Sequence, residues 1–217
     1  MVKGVIFDMD GLMFDTERLW DTLWAPCCGK LGLPLPPPEF LAGGRGLAGD
    51  NLKRHLAKFY PQIDPEVMLA EVWRLADERF SQGVPCKPGL HELLGWLQDH
   101  NIPCIVASSS PRNMIEMNLK NTGVDGYFKG VVCGADVEHS KPAPDIFLLA
   151  AQQLGLPAEE CLVLEDSFNG VRAGHAAGAV TVMVPDIAQP DEEMRSLYTC
   201  CCRDLLEVRD LLEEGRL

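Results

Sequence analysis

The chain has 217 residues, 47% of them apolar, and a net charge of −13. That length allows one large domain, or a domain with a smaller insert, and the apolar share is enough for a sizeable core. The acidic balance argues against a nucleic-acid or anionic-membrane surface, since both demand dense Lys and Arg. An anionic small molecule is still open, because a metal and one or two placed cations can make a local positive well.

In chain order, Gly4–Phe7 is a short apolar run that reads as a buried strand, and Asp8-Met9-Asp10-Gly11 follows at once. Strand side chains alternate faces, so Asp8 and Asp10 are expected on the same side. Two carboxylates that close repel, and a bound divalent cation with oxygen ligands, usually Mg2+, relieves the repulsion. A metal-held carboxylate beside one that trades protons suits phosphoryl transfer through an aspartyl-phosphate. The plainer reading is a strand that stops in an acidic turn.

The stretch from Phe14 to Val84 has no convincing strand. Leu19, Trp20, Leu23, Trp24 and Cys27 recur at helical spacing, and Pro26 is expected to kink or end that helix. Pro34–Pro38 reads as a stiff connector. Gly43-Gly44-Arg45-Gly46 is a loop in which backbone can approach a ligand and Arg45 can read a phosphate or a sugar hydroxyl; the alternative is a flexible turn with an exposed arginine. Leu52, Leu56 and Phe59 mark a second helix. Asp64-Pro65 opens a third, with Leu69, Val72, Trp73, Ala76 and Phe80 on one face.

Beyond residue 84 strands and helices alternate. Cys104–Ala107, Gly130–Cys133, Leu162–Leu164 and Val180–Val184 are apolar runs without strict alternation, as strands covered on both faces should be. Leu90, Leu93, Leu94 and Leu97 fill one helix face. Ser110-Pro111 reads as an N-cap with proline at the first helical position, and Thr122-Gly123 ends that helix. Pro144-Asp145 opens another helix that stops at Gly155, and Asp204 caps the last one. This alternation predicts a doubly wound α/β parallel sheet interrupted after the first strand by an all-helical cap. The expected boundaries are 1–13 with 85–217 for the core and 14–84 for the cap. Open α/β sheets take ligands at the carboxyl ends of their strands, beneath such an insert.

Three more predicted strand ends carry polar residues. Ser108-Ser109-Ser110 offers hydroxyls and free N–H groups at a helix start, which is an anion site or a simple cap. Lys141-Pro142 places a cation able to neutralise a phosphate, or else a solvated loop lysine. Glu165-Asp166-Ser167 suits metal ligation, directly or through water, or else helix capping. The nine cysteines have no C-x-x-C pair and are expected as free thiols in a reducing compartment. Cys200-Cys201-Cys202 is read as a late strand. No signal-peptide pattern and no apolar run of spanning length is visible, so a cytoplasmic protein is expected.

Asp8-x-Asp10-Gly11, Ser108, Lys141-Pro142 and Glu165-Asp166, in this order, resemble the haloacid dehalogenase superfamily over the whole chain. The run Phe7–Glu17 with its helical insert looks like the branch of beta-phosphoglucomutase and many small-metabolite phosphatases. The resemblance implies Asp8 as nucleophile and Asp10 as general acid and base, with the Asp10 backbone carbonyl on Mg2+. It implies Ser108, and more loosely Ser109, on the phosphoryl group, Lys141 on transition-state charge, and Asp166 with Glu165 at the metal. Arg45, Thr16 and Glu17 are the substrate-side candidates in the cap. Mutase members carry a histidine where this chain has Trp20, which turns the reading toward hydrolysis.

The expectation is a monomeric Mg2+-dependent phosphatase of small phosphorylated metabolites, sugar or polyol phosphates, with neither nucleic acid nor membrane as partner. A phosphosugar mutase, or a non-catalytic metabolite-binding module on the same fold, are the alternatives.

Overall fold

The computed structural model describes residues 2–44, 47 and 49–217. The apolar runs form one sheet: β1 (Gly4–Phe7), β2 (Cys104–Ser108), β3 (Phe128–Cys133), β4 (Cys161–Glu165), β5 (Val180–Met183) and β6 (Cys200–Cys201). All neighbours are parallel and the order is β3-β2-β1-β4-β5-β6. Every residue of β1, β2 and β4 is buried, so helices cover both faces of the sheet centre and alternation is lost from the sequence. The order reverses at β1. The chain steps from β1 to β2 and β3 on one side, then crosses back to β4 on the other. That reversal opens a crevice at the carboxyl ends of β1 and β4, where such sheets hold ligands.

The helices in chain order are α1 (Thr16–Lys30), α2 (Pro38–Gly44), α3 (Gly49–Phe59), α4 (Pro65–Phe80), α5 (Leu90–Asp99), α6 (Arg112–Thr122), α7 (Asp145–Leu154), α8 (Phe168–Ala176), α9 (Glu192–Leu197) and α10 (Leu205–Glu213). The chain divides into two compact units. One is the segment up to Asp15 together with Pro85–Leu217, and the other is Thr16–Val84.

In the sheet unit, the apolar stripe Leu90, Leu93, Leu94 and Leu97 buries the inner face of α5, which packs on α10. Left-handed glycines end α6 and α7, at Gly123 and Gly155. Asp204 starts α10 by accepting a hydrogen bond from the Glu207 amide at 3.0 Å. After β1 the backbone doubles back. Gly11 N–H donates to Phe14 O at 2.9 Å, and Lys87 N–H donates to Met13 O at 2.8 Å as the chain re-enters the unit.

The helical unit is built on aromatic contacts. Phe40 meets Trp24, Phe59 and Tyr60 edge-on, with ring centroids 5.1 to 5.5 Å apart. Trp20 packs against Trp73 at 4.9 Å and Phe80 at 5.3 Å. Pro26 does not end α1, contrary to the sequence expectation. Its missing N–H forfeits one helical bond, but Leu23, Cys27 and Cys28 on either side are buried, and α1 packs along α4. Nor is Pro34–Pro38 connector throughout, because Pro38 is the first residue of α2, where proline's fixed φ suits a helix start.

The nine cysteines are free thiols and most are buried. Among the described residues no helix is long and apolar enough to cross a membrane.

Gly89 sits at the start of α5 with φ +87°, and a Cβ there would meet Leu206 N at 2.3 Å. Gly89→Ala therefore combines left-handed strain with a backbone clash. It should cost at least about 2 kcal/mol in urea unfolding. A loss within error of zero would show that α5 and α10 separate freely.

Candidate active site

The ends of β1, β2 and β4 and the loop after β3 each contribute to one cluster of polar side chains. Asp8 follows β1 directly, its N–H donating to Leu164 O at 3.0 Å, so its carboxylate stands between β2 and β4. Ser108 ends β2, Glu165 ends β4, and Asp166 follows it. All four are at least nine-tenths buried. Lys141 reaches in from the loop after β3; its peptide bond to Pro142 is cis.

The Lys141 ammonium is the hub. Its Nζ donates to Asp8 Oδ1 at 2.6 Å, Glu165 Oε1 at 2.6 Å and Ala107 O at 3.2 Å, and it lies 4.8 Å from the Phe147 ring centroid. Burial works against this cation, but Asp8 and Glu165 outweigh it and hold it above its ordinary range. It stays charged at neutral pH. Burial likewise pushes the Asp8 carboxyl well up. Lys141 offsets part of that, and Glu165 and Asp10 push it further up.

Glu165 is fixed on both oxygens. Oε1 takes Lys141, and Oε2 accepts from Asp166 N–H at 3.0 Å, Ser167 N–H at 3.0 Å and the Ser167 hydroxyl at 2.9 Å. The local fold makes room for it. A Cβ on Gly170, in the first turn of α8, would fall 1.8 Å from the Glu165 carboxyl. Gly11 does the same for Asp166: its φ is +82°, and a Cβ would meet Asp166 Oδ2 at 2.1 Å.

Asp10 is turned to the other wall of the pocket. Its Oδ2 accepts from Ser108 Oγ at 3.1 Å and Ser110 Oγ at 2.7 Å. Its Oδ1 is buried with no hydrogen-bond partner among the described residues. Ser110 N–H in turn donates to Ser108 Oγ at 3.1 Å. Ser110 is not the cap of α6, as the sequence suggested; Pro111 precedes that helix and the Ser110 hydroxyl serves Asp10. Sequence reading passed over this role because a serine before a proline looks like a cap. Ser167 is a cap, accepting from Gly170 N–H at 3.0 Å.

The structure thus brings together Asp8, Asp10, Ser108, Lys141, Glu165 and Asp166. Ser109 is exposed, and its backbone rather than its hydroxyl is packed, against Gly134. Thr16 and Glu17 lie in the first turn of α1, in the helical unit, with Thr16 fully buried. Arg45 falls outside the described residues.

The donor set fits a cation. One ligand oxygen each from Asp8, Glu165 and Asp166 lies within 4.8 Å of the others, all three residues buried. Burial, and after it the neighbouring Glu165 and Asp10, push Asp8 up even with Lys141 present, so a further cation beside it would favour its charged form. An all-oxygen set of this kind suits a hard divalent ion. With both Glu165 oxygens spent, Asp8 and Asp166 are the better placed to ligate directly.

Residues 5–184 match the profile of the haloacid dehalogenase-like hydrolases. The chain belongs to that family. A protein of Drosophila melanogaster named probable pseudouridine-5'-phosphatase is 36% identical over 191 residues, 85% of this chain and 82% of the relative. A fructose-1-phosphate phosphatase of Escherichia coli (strain K12) is 30% identical over 181 residues, 83% of this chain and 95% of the relative. Among solved structures, a family hydrolase from Deinococcus radiodurans with bound phosphate and sodium superposes with a TM-score of 0.77 at 27% identity, covering 99% of this chain and 96% of that one. A putative beta-phosphoglucomutase from Thermotoga maritima shares the fold, with a TM-score of 0.79 at 24% identity over 98% of this chain and 99% of that one.

The upward push on Asp8 has a pH consequence. A carboxyl raised on folding keeps its proton where the unfolded chain has lost it, so metal-free stability falls as pH rises above the ordinary carboxyl range of about 4. A divalent ion replaces that proton. Added divalent cation should therefore raise the melting temperature more at about pH 8 than at about pH 5, and less in Asp8→Asn than in wild type. A gain independent of both pH and Asp8 would place the ion elsewhere.

Proposed function

We propose that this hydrolase is a Mg2+-dependent phosphatase of small phosphorylated metabolites, sugar or polyol phosphates, working through an aspartyl-phosphate on Asp8. The observation that carries the reading is the buried Lys141 ammonium, which ties Asp8 to Glu165 beside Asp166. The relatives named as phosphatases of fructose 1-phosphate and pseudouridine 5'-phosphate support the substrate class.

In this reading Asp8 attacks phosphorus with the carboxylate oxygen not held by Lys141. Lys141 offsets charge on the phosphoryl oxygens as they crowd the acids. Ser108 donates to a phosphoryl oxygen. A hydroxyl has one proton to give, so Ser108 must release Asp10 to do this. Ser110 then keeps Asp10 in place while it protonates the leaving oxygen and later draws a proton from water. Mg2+, held by Asp8, Asp166 and the Asp10 carbonyl, would supply the positive charge that lets a phosphate dianion approach carboxylates. Glu165 acts through Lys141. Assignment of Ser109, Arg45, Thr16 and Glu17 to phosphate or substrate binding rests on the sequence alone. Trp20 packs against Trp73 and Phe80, which supports hydrolysis over mutase chemistry. On this reading the chain acts as a monomer in the cytoplasm.

A phosphometabolite panel with Mg2+ tests the function. Wild type should release phosphate from several sugar or polyol phosphates, and Asp8→Asn should lower turnover by on the order of 10^4 or more without unfolding. Folded, Mg2+-loaded protein inert toward every phosphomonoester would favour a metabolite-binding module instead.

Ser110→Ala should lower kcat about tenfold on a sugar phosphate, the worth of one charged hydrogen bond of about 1.4 kcal/mol, with little change in KM. On p-nitrophenyl phosphate, whose leaving group needs no proton, the loss should be small. Equal losses on both substrates would deny Ser110 its hold on the acid.

A further inference from the structure

The run Cys200-Cys201-Cys202 takes no part in the chemistry above. β6 is the edge of the sheet, paired only with β5, through Val182 to Cys200 and Met183 to Cys201. Residues two apart in extended chain share a face. The thiols of Cys200 and Cys202 accordingly stand 4.0 Å apart in hydrogen-bond contact. Cys202 is buried, Cys200 is half-buried, and Cys201 between them is exposed.

Two lengths separate what such a pair can do. A disulfide needs its sulfurs at about 2 Å, half the observed separation. It would also have to span two residues of extended chain, about 6.6 Å between Cα atoms, at the far end of what disulfides bridge. Two thiolates sharing a tetrahedral ion at about 2.3 Å per bond stand about 3.8 Å apart. The pair already meets that spacing to within a few tenths of an ångström.

We propose that Cys200 and Cys202 form a two-thiolate site for a soft, thiophilic metal ion of the zinc and cadmium class. Binding forms two Sγ–metal bonds and releases both thiol protons to solvent, and solvent fills the remaining positions on the half-open side of Cys200. The two thiols are pushed apart: the hydrogen bond they share draws Cys200 below the ordinary thiol range, and the same bond with burial pushes Cys202 up, so the Cys202 proton is the one the metal must displace. The carboxylate of Glu207, held by the Arg203 amide at 2.8 Å and Nε at 3.1 Å, raises all three thiols, so it works against metal-free thiolate while favouring a cation beside them. Ligand softness separates this site from the acidic pocket: sulfur selects soft ions and the carboxylates select hard ones.

The test is a titration with Cd2+ in excess Mg2+ and a thiol-free reductant, read by thiolate-to-cadmium charge-transfer absorbance, which carboxylates do not produce. Wild type and Cys201→Ser should bind one equivalent. Cys200→Ser and Cys202→Ser should each lose it, while Cys200→Ser keeps wild-type phosphatase turnover with Mg2+. Should buried Cys202→Ser fail to fold, Cys200→Ser decides by itself. An unchanged absorbance titration in Cys200→Ser overturns the site. So does a wild-type chain that takes up no Cd2+, including one whose mass shows a Cys200–Cys202 disulfide that re-forms after reduction.

Discussion

The pocket is organised by one buried cation among several acids. Lys141 is fixed by 2.6 Å contacts to Asp8 and Glu165, and neither carboxylate could sit where it does without it. Removing two carboxylates from water costs several kcal/mol each, and an ammonium in direct contact with both is what offsets that cost. Even so the balance is incomplete. Asp8 remains pushed toward its protonated form, because burial strips its charge of water, Lys141 offsets only part of that, and Glu165 and Asp10 add to it. Under the proposed function, a cation bound beside Asp8 would relieve that push and let a phosphate approach.

The fold brings these groups together. β1 lies between β2 and β4 at the point where strand order reverses; β2 and β4 end in Ser108 and Glu165, and Asp8 follows β1 directly. Glycine is used twice to bring acids close. Gly11 yields space to Asp166 and Gly170 to Glu165, and in each case a methyl group would occupy the carboxyl's own volume. Glu165 is the most tightly held acid described in the cluster. Four hydrogen bonds fix it, so its part is to aim Lys141 and to pin the turn into α8.

Ser108 and Ser110 form a small relay on the opposite wall. Both hydroxyls converge on one oxygen of Asp10, while the other oxygen is buried and unbonded among the described residues. A carboxylate held on one side and vacant on the other can turn toward a leaving group without breaking every contact. The Ser108 hydroxyl makes the longer bond, at 3.1 Å, and the Ser110 hydroxyl the shorter, at 2.7 Å. The thiol pair at the sheet edge follows a different logic, in which strand geometry alone brings two sulfurs to a shared face.

The sequence by itself determined the sheet, most of its strands, and the set of acids, hydroxyl and lysine at their ends. These follow from local rules: apolar runs bounded by turn residues, and polar residues placed where a buried strand must stop. Helix stops at Gly123 and Gly155 and the start at Asp204 were legible for the same reason, since capping depends on neighbours a few residues away. Only the tertiary structure decided how those residues are shared out. Whether Ser110 caps a helix or bonds Asp10 depends on a residue a hundred positions away, and whether Glu165 ligates or braces depends on Lys141 and Ser167. Whether Pro26 ends α1 depends on how much apolar surface the helix buries beyond it. Sequence pattern records what each residue can bond; long-range packing settles which partner has the claim.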